Sequence, residues 1–127
     1  MLVGRKSAAS AAAPRATARY LALIYLEPGQ REALHGYERR VLPVLQQHGG
    51  AFERIWSPAP ADPGAPRDPD APDEIHLLRF DSAAGLEAAR RDPEMQALAG
   101  LRATVVRKAV LVPVADVPLG PYFADPA

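Results

Sequence analysis

The strongest constraint on the fold is a short segment near the start of the chain that is apolar at every position. Residues 20–26 read Tyr-Leu-Ala-Leu-Ile-Tyr-Leu, and Pro28 and Gly29 follow directly after Glu27. A helix needs roughly 20 apolar residues to cross a membrane, so this segment is far too short to do so. An uninterrupted apolar run that ends at turn residues is instead typical of a strand buried on both faces of its sheet. Both faces of that sheet must therefore be covered.

The remaining elements follow in a simple order along the chain. Apolar residues at helical spacing predict a first helix over residues 30–47, which the glycines at 49 and 50 end. Further strands are predicted at residues 51–57, 74–80 and 107–114. A second helical region precedes the last strand, and we expect it in two pieces because Asp92 and Pro93 repeat the signal for a helix start.

This order predicts an α+β fold of the ferredoxin-like βαββαβ type, in which a four-stranded antiparallel sheet carries two helices on one face. The first and third strands should be central, and the last should be an edge because Pro113 lacks a backbone donor. The opposite sheet face is left without cover from the same chain. Roughly eight apolar side chains left in water there would each forfeit about 1.5 to 3 kcal/mol, which rivals the stability of a whole domain. We therefore predict a homodimer in which two sheets close into an α+β barrel.

The length and composition narrow the class of protein. A chain of 127 residues has room for one core, so we expect a single domain at residues 18–114, followed by a tail at 115–127. Residues 1–17 are predicted to be a disordered extension. Their basic, acid-free composition also resembles that of a transit peptide. Residues 57–73 hold six prolines and four aspartates and are predicted to be a loop insertion. Fifteen basic residues balance fifteen acidic ones, which gives no field to attract nucleic acid or an anionic membrane. We expect a cytoplasmic protein.

The sequence lacks the motifs of several enzyme classes. It has no cysteine, which excludes disulfides, thiolate nucleophiles and thiolate-bound metals. The three histidines, His35, His48 and His76, lie in separate predicted elements and form no motif with metal-ligand spacing, so no metal site is predicted. A glycine-rich phosphate loop and a Gly-x-Ser-x-Gly elbow are both missing, so we expect neither nucleotide chemistry nor a serine hydrolase, and we predict no cofactor.

Six short motifs occur in an order that resembles a known family. They are Glu-Pro-Gly-Gln (27–30), Val-Leu-Pro (41–43), His-Gly-Gly (48–50), Asp-Glu-Ile-His-Leu-Leu-Arg-Phe-Asp-Ser (73–82), Asp-Pro-Glu (92–94) and Leu-Val-Pro (111–113). Together they resemble NIPSNAP-type domains, and the spacing from Tyr37 to Pro43 is similar to domain-of-unknown-function family 1330 as well. Both families belong to the dimeric α+β barrels. The resemblance covers about residues 18–114 and implies the same dimer.

One residue stands out as a candidate catalytic group. His76 is a polar residue on a central apolar strand, and it matches a histidine that is typical of NIPSNAP-type strands. Alternation puts it on the same face as Glu74, Leu78 and Phe80, and away from Arg79. A buried histidine at this position can act as a general base or bind a ligand, and it can equally be a hydrogen-bonded structural residue.

Four further residues are candidates for ligand binding. Tyr37, on the inner stripe of the first helix, could reach the cleft between sheet and helices, and Tyr25 could reach it if its face of the first strand is the helical one. Strict alternation places Phe52, Arg54 and Trp56 on one face of the second strand. The last two could hold a carboxylate beside an aromatic ring.

The resemblance implies several kinds of function. Related barrels include cofactor-independent oxygenases, isomerases, haem proteins and proteins with no known reaction. We expect a homodimer that holds a small, mainly apolar molecule in the sheet-helix cleft, as a cofactor-independent oxygenase or isomerase with His76 assisting proton transfer. The alternative is a non-catalytic binding or interaction scaffold. A cleft filled by apolar side chains, with His76 enclosed, would favour that alternative.

Overall fold

The computed structural model describes residues 17–60 and 62–123. Their main strands and helices follow in the order β1 Ala18–Leu26, α1 Arg31–Gln47, β2 Gly50–Trp56, β3 Glu74–Phe80, α2 Ala83–Arg91, α3 Pro93–Ala97, α4 Ala99–Val105 and β4 Val106–Val114. The expected α+β fold of βαββαβ order is thus confirmed. Among these residues, no helix combines the length and the apolar composition that crossing a membrane requires.

The second helical region has three pieces instead of the two expected. Asp92 begins α3 as predicted, because its side chain accepts a hydrogen bond from the backbone N–H of Glu94, and Pro93 fills the first helical position. The additional break falls at Leu98, whose N–H donates to the carbonyl of Met95, three residues back instead of four. That tighter turn separates α3 from α4.

The sheet has the strand order β2-β3-β1-β4 and is antiparallel throughout. The central positions of β1 and β3 agree with the prediction. β4 pairs with β1 alone in the described sheet, so the missing N–H of Pro113 is tolerated at this edge.

β2 departs from simple alternation because its register shifts between Phe52 and Arg54, which leaves Glu53 as a bulge. Beyond that point the two faces exchange. The cross-strand pairs are Phe52 with Leu78, Arg54 with Leu77, Ile55 with His76 and Trp56 with Ile75. The prediction that Phe52 shares a face with Arg54 and Trp56 is therefore wrong, since paired residues lie on the same sheet face and Phe52 faces the helices.

The hydrophobic core lies between the sheet and the helices. Its largest fully buried side chains are those of Phe80, Leu34 and Val105, which come from β3, α1 and α4. The Phe80 ring packs edge-to-face with Tyr20 of β1 at a centroid distance of 6.1 Å. Buried apolar side chains fill the space between β1, β3 and α1, and they include Ala22, Ile24, Leu26, Leu34, Val41, Leu45, Leu78 and Phe80.

The opposite face of the sheet is apolar and has no cover within the described residues; we call it the open face. Its two central rows consist of Val112, Leu21 and Leu77, and of Val110, Leu23 and Ile75. All six are at least partly exposed to solvent. At the rim of this face Arg19 Nε lies 3.2 Å from a carboxylate oxygen of Glu53, and Arg19 NH1 lies 3.0 Å from one of Asp116.

The proline-rich segment between β2 and β3 contains no helix or strand in its described residues, 57–60 and 62–73. It is fixed at its end by the carboxylate of Asp73, which accepts hydrogen bonds from the backbone N–H of Leu26 at 2.8 Å and from Arg67 at 3.0 Å. The predicted extension at residues 1–17 lies outside the described residues apart from Thr17. In the tail, a short 3-10 turn spans Gly120–Tyr122, and residues 124–127 lie outside.

Candidate functional site

A cluster of polar side chains lies within the apolar layer between β3 and α1. Glu74 and His76 alternate with more exposed residues along β3 and share one face, as alternation predicts, and that face is turned towards the helices. Each residue has only 3% of its surface exposed. Charged groups that are buried to this degree require hydrogen-bonding partners, and the neighbouring residues supply them.

One nitrogen atom of His76 is shared between two carboxyl groups. His76 Nε2 lies 2.8 Å from Glu74 Oε1 and 3.1 Å from Glu38 Oε2. A tautomer that carries its proton on Nε2 can donate to both oxygens and fits this geometry. The ring also makes an edge-to-face contact with Phe52 at a centroid distance of 5.3 Å. Three neighbours therefore fix the orientation of the imidazole.

Helix α1 presents three polar residues to β3, because Arg31, His35 and Glu38 are spaced four and three positions apart. Arg31 NH1 donates to Glu74 Oε2 at 3.0 Å, and His35 Nε2 lies 2.8 Å from the same oxygen. Both oxygens of Glu74 are thus engaged. We call Arg31, His35, Glu38, Glu74 and His76 the His76 cluster.

The pKa values of the two carboxyl groups in the cluster are shifted in opposite directions. Burial, followed by the negative charge of Glu74, raises the pKa of Glu38 to about 8. Burial acts to raise the pKa of Glu74 as well, but hydrogen bonds from His76 and His35 hold that pKa below its usual value. At neutral pH Glu74 is ionised and Glu38 is mostly protonated. Paired carboxyl groups in opposite protonation states are a feature of acid-base sites.

The same cluster contains donor types that also suit a cation. The ligand atoms of Glu38, Glu74 and His76 lie within 4.8 Å of one another, and carboxylate oxygens and imidazole nitrogens both bind divalent ions. Arg31 already pairs with Glu74 in this cluster, and Glu38 is mostly protonated at neutral pH. A cation would have to displace that proton before the Glu38 carboxylate could bind it.

Of the two carboxyl groups that contact His76 Nε2, that of Glu38 is the more exposed. Its side chain is 12% exposed, whereas those of His76 and Glu74 are 3% and 4% exposed. His35 and Arg31 lie farther out and form the rim of the cluster. Core side chains enclose His76, so Glu38 is more accessible from solvent than His76 or Glu74.

Sequence reasoning missed Arg31, His35 and Glu38. The available signal was their spacing, which places them on one stripe of α1. That signal is incomplete, because only the packing of α1 on β3 shows that the stripe meets Glu74.

Arg54 and Trp56, two of the expected ligand-binding residues, are not part of the His76 cluster. Their cross-strand partners are Leu77 and Ile75, which lie on the open face. The two residues do share a face, as expected, but it is the face turned away from the helices.

The two tyrosines also lie apart from the cluster. Tyr25 belongs to the open face of β1, where its ring centroid lies 5.6 Å from the guanidinium of Arg107 and 5.0 Å from the ammonium of Lys108. Tyr37 is half-buried on α1 and lines a cavity between this helix and Arg102 of α4. The structure therefore brings none of the four expected ligand-binding residues to His76.

Comparison with solved structures identifies the fold class. The chain resembles a protein of unknown function from Rhodopseudomonas palustris with a TM-score of 0.64 and 21% identity, over 80% of this chain and 83% of that one. It resembles an uncharacterised NIPSNAP domain protein from Burkholderia xenovorans with a TM-score of 0.57 and 15% identity, over 80% and 95% of the chains. A dimeric ferredoxin-like protein of unknown function from Thermobifida fusca gives 0.55 and 17%, over 78% and 90%. No family model and no curated protein matches the sequence.

These likenesses agree with the four-stranded antiparallel sheet and its helices, and they show that the chain has a ferredoxin-like α+β fold. A NIPSNAP domain protein is among the structural neighbours. The fold that the resemblance to NIPSNAP-type domains implies is thereby confirmed.

Proposed function

We propose that this protein is a homodimeric enzyme in which Glu38 acts as the general base of an isomerase-type proton transfer on a small molecule, without a cofactor. The observation that carries the proposal is the position of the Glu38 carboxyl group, 3.1 Å from His76 Nε2 at the outer edge of a buried imidazole-carboxylate pair, where burial raises its pKa to about 8. A carboxylate of ordinary pKa is a weak base towards carbon. A raised pKa makes Glu38 a stronger base and brings its titration close to neutral pH.

The reaction needs one carboxyl group. Ionised Glu38 removes a proton from a carbon that lies between a carbonyl group and a carbon-carbon double bond, and the electron pair of the broken carbon-hydrogen bond moves into a dienolate. Glu38 then returns the proton to the far carbon of the dienolate, so the carbon-carbon double bond moves next to the carbonyl group and the carboxylate is regenerated. Because a single base serves both steps and no oxidant is consumed, we favour isomerisation over oxygenation.

His76 and Glu74 act through Glu38 in this proposal. The Nε2–H group of His76, 3.1 Å from Glu38 Oε2, orients the carboxyl group and stabilises its ionised form. The charge of Glu74 raises the pKa of Glu38. The catalytic role expected for His76 thus becomes a positioning role, because the core encloses that residue.

Two apolar residues beside the cluster support a mainly apolar substrate. Phe52 contacts the ring of His76, and Ile55 is the cross-strand partner of His76 on the same sheet face. The Ile55 side chain is 49% exposed although it is large and apolar. A small molecule with a hydrocarbon body can cover Ile55 while its acidic carbon meets Glu38.

The homodimer is the second part of the proposal. The open face carries two rows of apolar side chains whose exposure in a monomer is costly, and a two-fold axis lets the same face cover itself. The Thermobifida fusca neighbour, which is described as dimeric, supports this arrangement.

The enclosure of His76 favours a second candidate, a non-catalytic binding or interaction scaffold in which the His76 cluster only stabilises the packing of α1 on β3. In that case the raised pKa of Glu38 has no role in turnover. The two candidates differ in one measurable property, the ability of Glu38 to accept a proton from carbon.

The test uses 5-nitrobenzisoxazole, a flat, mainly apolar probe that opens to a coloured phenolate when a base removes its ring-carbon proton and the nitrogen-oxygen bond breaks. We expect the wild-type protein to open this probe faster than Glu38→Gln, with a rate that rises with pH around a midpoint of about 8. Glu32→Gln, an exposed position on the same helix, is the matched control and should keep the wild-type rate. Equal rates for wild type and Glu38→Gln at every pH would contradict the enzyme and favour the scaffold.

A further inference from the structure

A cavity of about 290 Å³ lies in the helix layer, between α1 and the segment formed by α2, α3 and α4. It is separate from the His76 cluster. Tyr37 lines it, whereas the adjacent Glu38 turns towards β3, since consecutive helical residues point about 100° apart. Any ligand of this cavity is therefore a different ligand site from the one at Glu38.

One wall of the cavity is apolar. Leu45 of α1, Leu86 of α2 and Met95 of α3 contribute to it, and all three belong to the core or pack against it. The volume is close to the lower end of the range for small-molecule pockets, roughly 300 to 1,000 Å³. It suits a short hydrocarbon chain or a single ring.

The rim of the cavity is positively charged. Arg90 of α2 and Arg102 of α4 line it, the charge of Arg102 acts on Tyr37 across the cavity, and none of its described lining residues is acidic. Arg90 NH1 also pairs with a carboxylate oxygen of Glu87 at 3.0 Å. Burial raises the pKa of Tyr37, so its hydroxyl group stays protonated and able to donate a hydrogen bond.

The polar rim is also held in place. Gln96, another lining residue, donates a hydrogen bond from Nε2 to the backbone carbonyl of Arg90 at 2.7 Å, which ties α3 to the end of α2. A site whose walls are fixed before binding loses less conformational entropy when a ligand arrives.

We propose that this cavity binds a small apolar carboxylate, with its hydrocarbon part against Leu86 and Met95 and its carboxylate between Arg90 and Arg102. Guanidinium groups match the planar, two-oxygen geometry of a carboxylate, and the Tyr37 hydroxyl supplies a further donor. The proposal goes beyond the proton transfer at Glu38 and does not depend on it. It also assigns a ligand-binding role to Tyr37, as predicted from the sequence, although in a different cavity.

The experiment uses hexanoate as the probe and 1-hexanol as its uncharged match. The chain has two methionines, Met1 and Met95, so a methyl-labelled sample gives a simple spectrum in which Met95→Leu assigns the cavity signal. We expect millimolar hexanoate to shift the Met95 methyl signal in a saturable way and hexanol to have a much weaker effect. Arg102→Gln should weaken hexanoate binding about tenfold, the scale of one charge-assisted hydrogen bond.

Arg91→Gln is the matched control, because Arg91 is an exposed neighbour of Arg90 that does not line the cavity. It should bind hexanoate as the wild type does, and so should Glu38→Gln, which separates this test from that of the proposed enzyme. Three results would overturn the proposal: no saturable shift of Met95, binding of hexanol as tight as that of hexanoate, or an equal loss in Arg91→Gln and Arg102→Gln.

Discussion

Glu38 Oε2 lies 3.1 Å from His76 Nε2, although one residue belongs to helix α1 and the other to strand β3. The contact exists only when the helix is docked on the sheet. The raised pKa of Glu38, which results from burial and from the charge of Glu74, therefore depends on the packed core. The pKa of Glu38 and the free energy of unfolding are therefore linked, so the pH dependence of stability reports the shift of that pKa.

We expect the stability of the protein to fall as the pH rises from about 5 to about 8. The pKa of Glu38 is 4.5 in a solvated chain and about 8 in the folded protein, so the folded state binds more protons across this range and the free energy of unfolding decreases with pH. Glu38→Gln should abolish most of this decrease. Its melting temperature, followed by circular dichroism, should exceed that of the wild type by several degrees above pH 8 and differ little near pH 5.

Glu32→Gln is the control for this measurement, because Glu32 lies on the same helix but is exposed. Its pH profile should match that of the wild type. If Glu38→Gln loses as much stability as the wild type between pH 5 and pH 8, the assignment of a raised pKa to Glu38 is wrong.

Glu74→Gln should lower the pKa of Glu38. The charge of Glu74 is the second cause of the raised value, after burial. Glutamine keeps one oxygen that can accept hydrogen bonds from Arg31 and His35, and its amide nitrogen takes the place of the oxygen that His76 contacts. Carbon-13 NMR of the labelled glutamate carboxyl groups measures the midpoint, which should fall below about 8. An unchanged midpoint would assign the whole shift to burial and remove Glu74 from the proposed site.

The topology could be predicted from the sequence because its signals are local. The apolar run of β1 and the alternation along β3 indicate which strands are central, and the paired glycines at 49 and 50 mark the end of α1. These patterns depend on residues within one element and on its immediate neighbours. The apolar open face follows from them once the helices are assigned to one side.

Glu38 could not be assigned to the site in the same way. On the sequence of α1 alone, Glu32 and Glu38 are equivalent acidic residues, and only the docking of the helix separates the exposed one from the one that meets His76. The bulge at Glu53 had no clear signal either, since one unpaired residue reverses the faces of β2 without altering its composition.

Gly85→Ala should destabilise the protein by about 1 to 3 kcal/mol, although alanine is the better helix former. A β-carbon at this position of α2 would lie 2.7 Å from Cδ1 of Phe80 and 2.5 Å from the backbone oxygen of His48, and both belong to packed parts of the fold. Gly100→Ala is the matched control in α4, where no atom lies within 4 Å of the added carbon. It should stabilise by about 0.4 to 1 kcal/mol in urea unfolding. Stabilisation by both substitutions would contradict the close packing at Gly85.

Asp92→Asn should lower the melting temperature at neutral pH and have much less effect near pH 3. Asp92 accepts a hydrogen bond from His48 at 2.8 Å and from the backbone N–H of Glu94 at 2.8 Å, and these contacts lower its pKa. A lowered pKa stabilises the fold above the usual value of 3.8, and this contribution is lost as the pH falls through the folded value. Asparagine can still cap α3 through its one oxygen, so the difference reports the loss of the charge and of the oxygen that contacts His48. A difference in melting temperature that is equal at both pH values would contradict this role.

Leu77→Lys should convert the proposed homodimer to a monomer. Leu77 lies in the central rows of the open face, opposite Leu21, so a charge there would be buried without a partner between two sheets. Light scattering at micromolar concentration should give about 27 kDa for the wild type, twice the chain mass of 13.6 kDa, and the chain mass itself for the variant. Ile55→Lys, a comparable change on the helix-facing side of β2, should remain dimeric, because that exposed side chain is outside the interface. A wild-type monomer, or dissociation by both substitutions, would show that the open face is not where two copies meet.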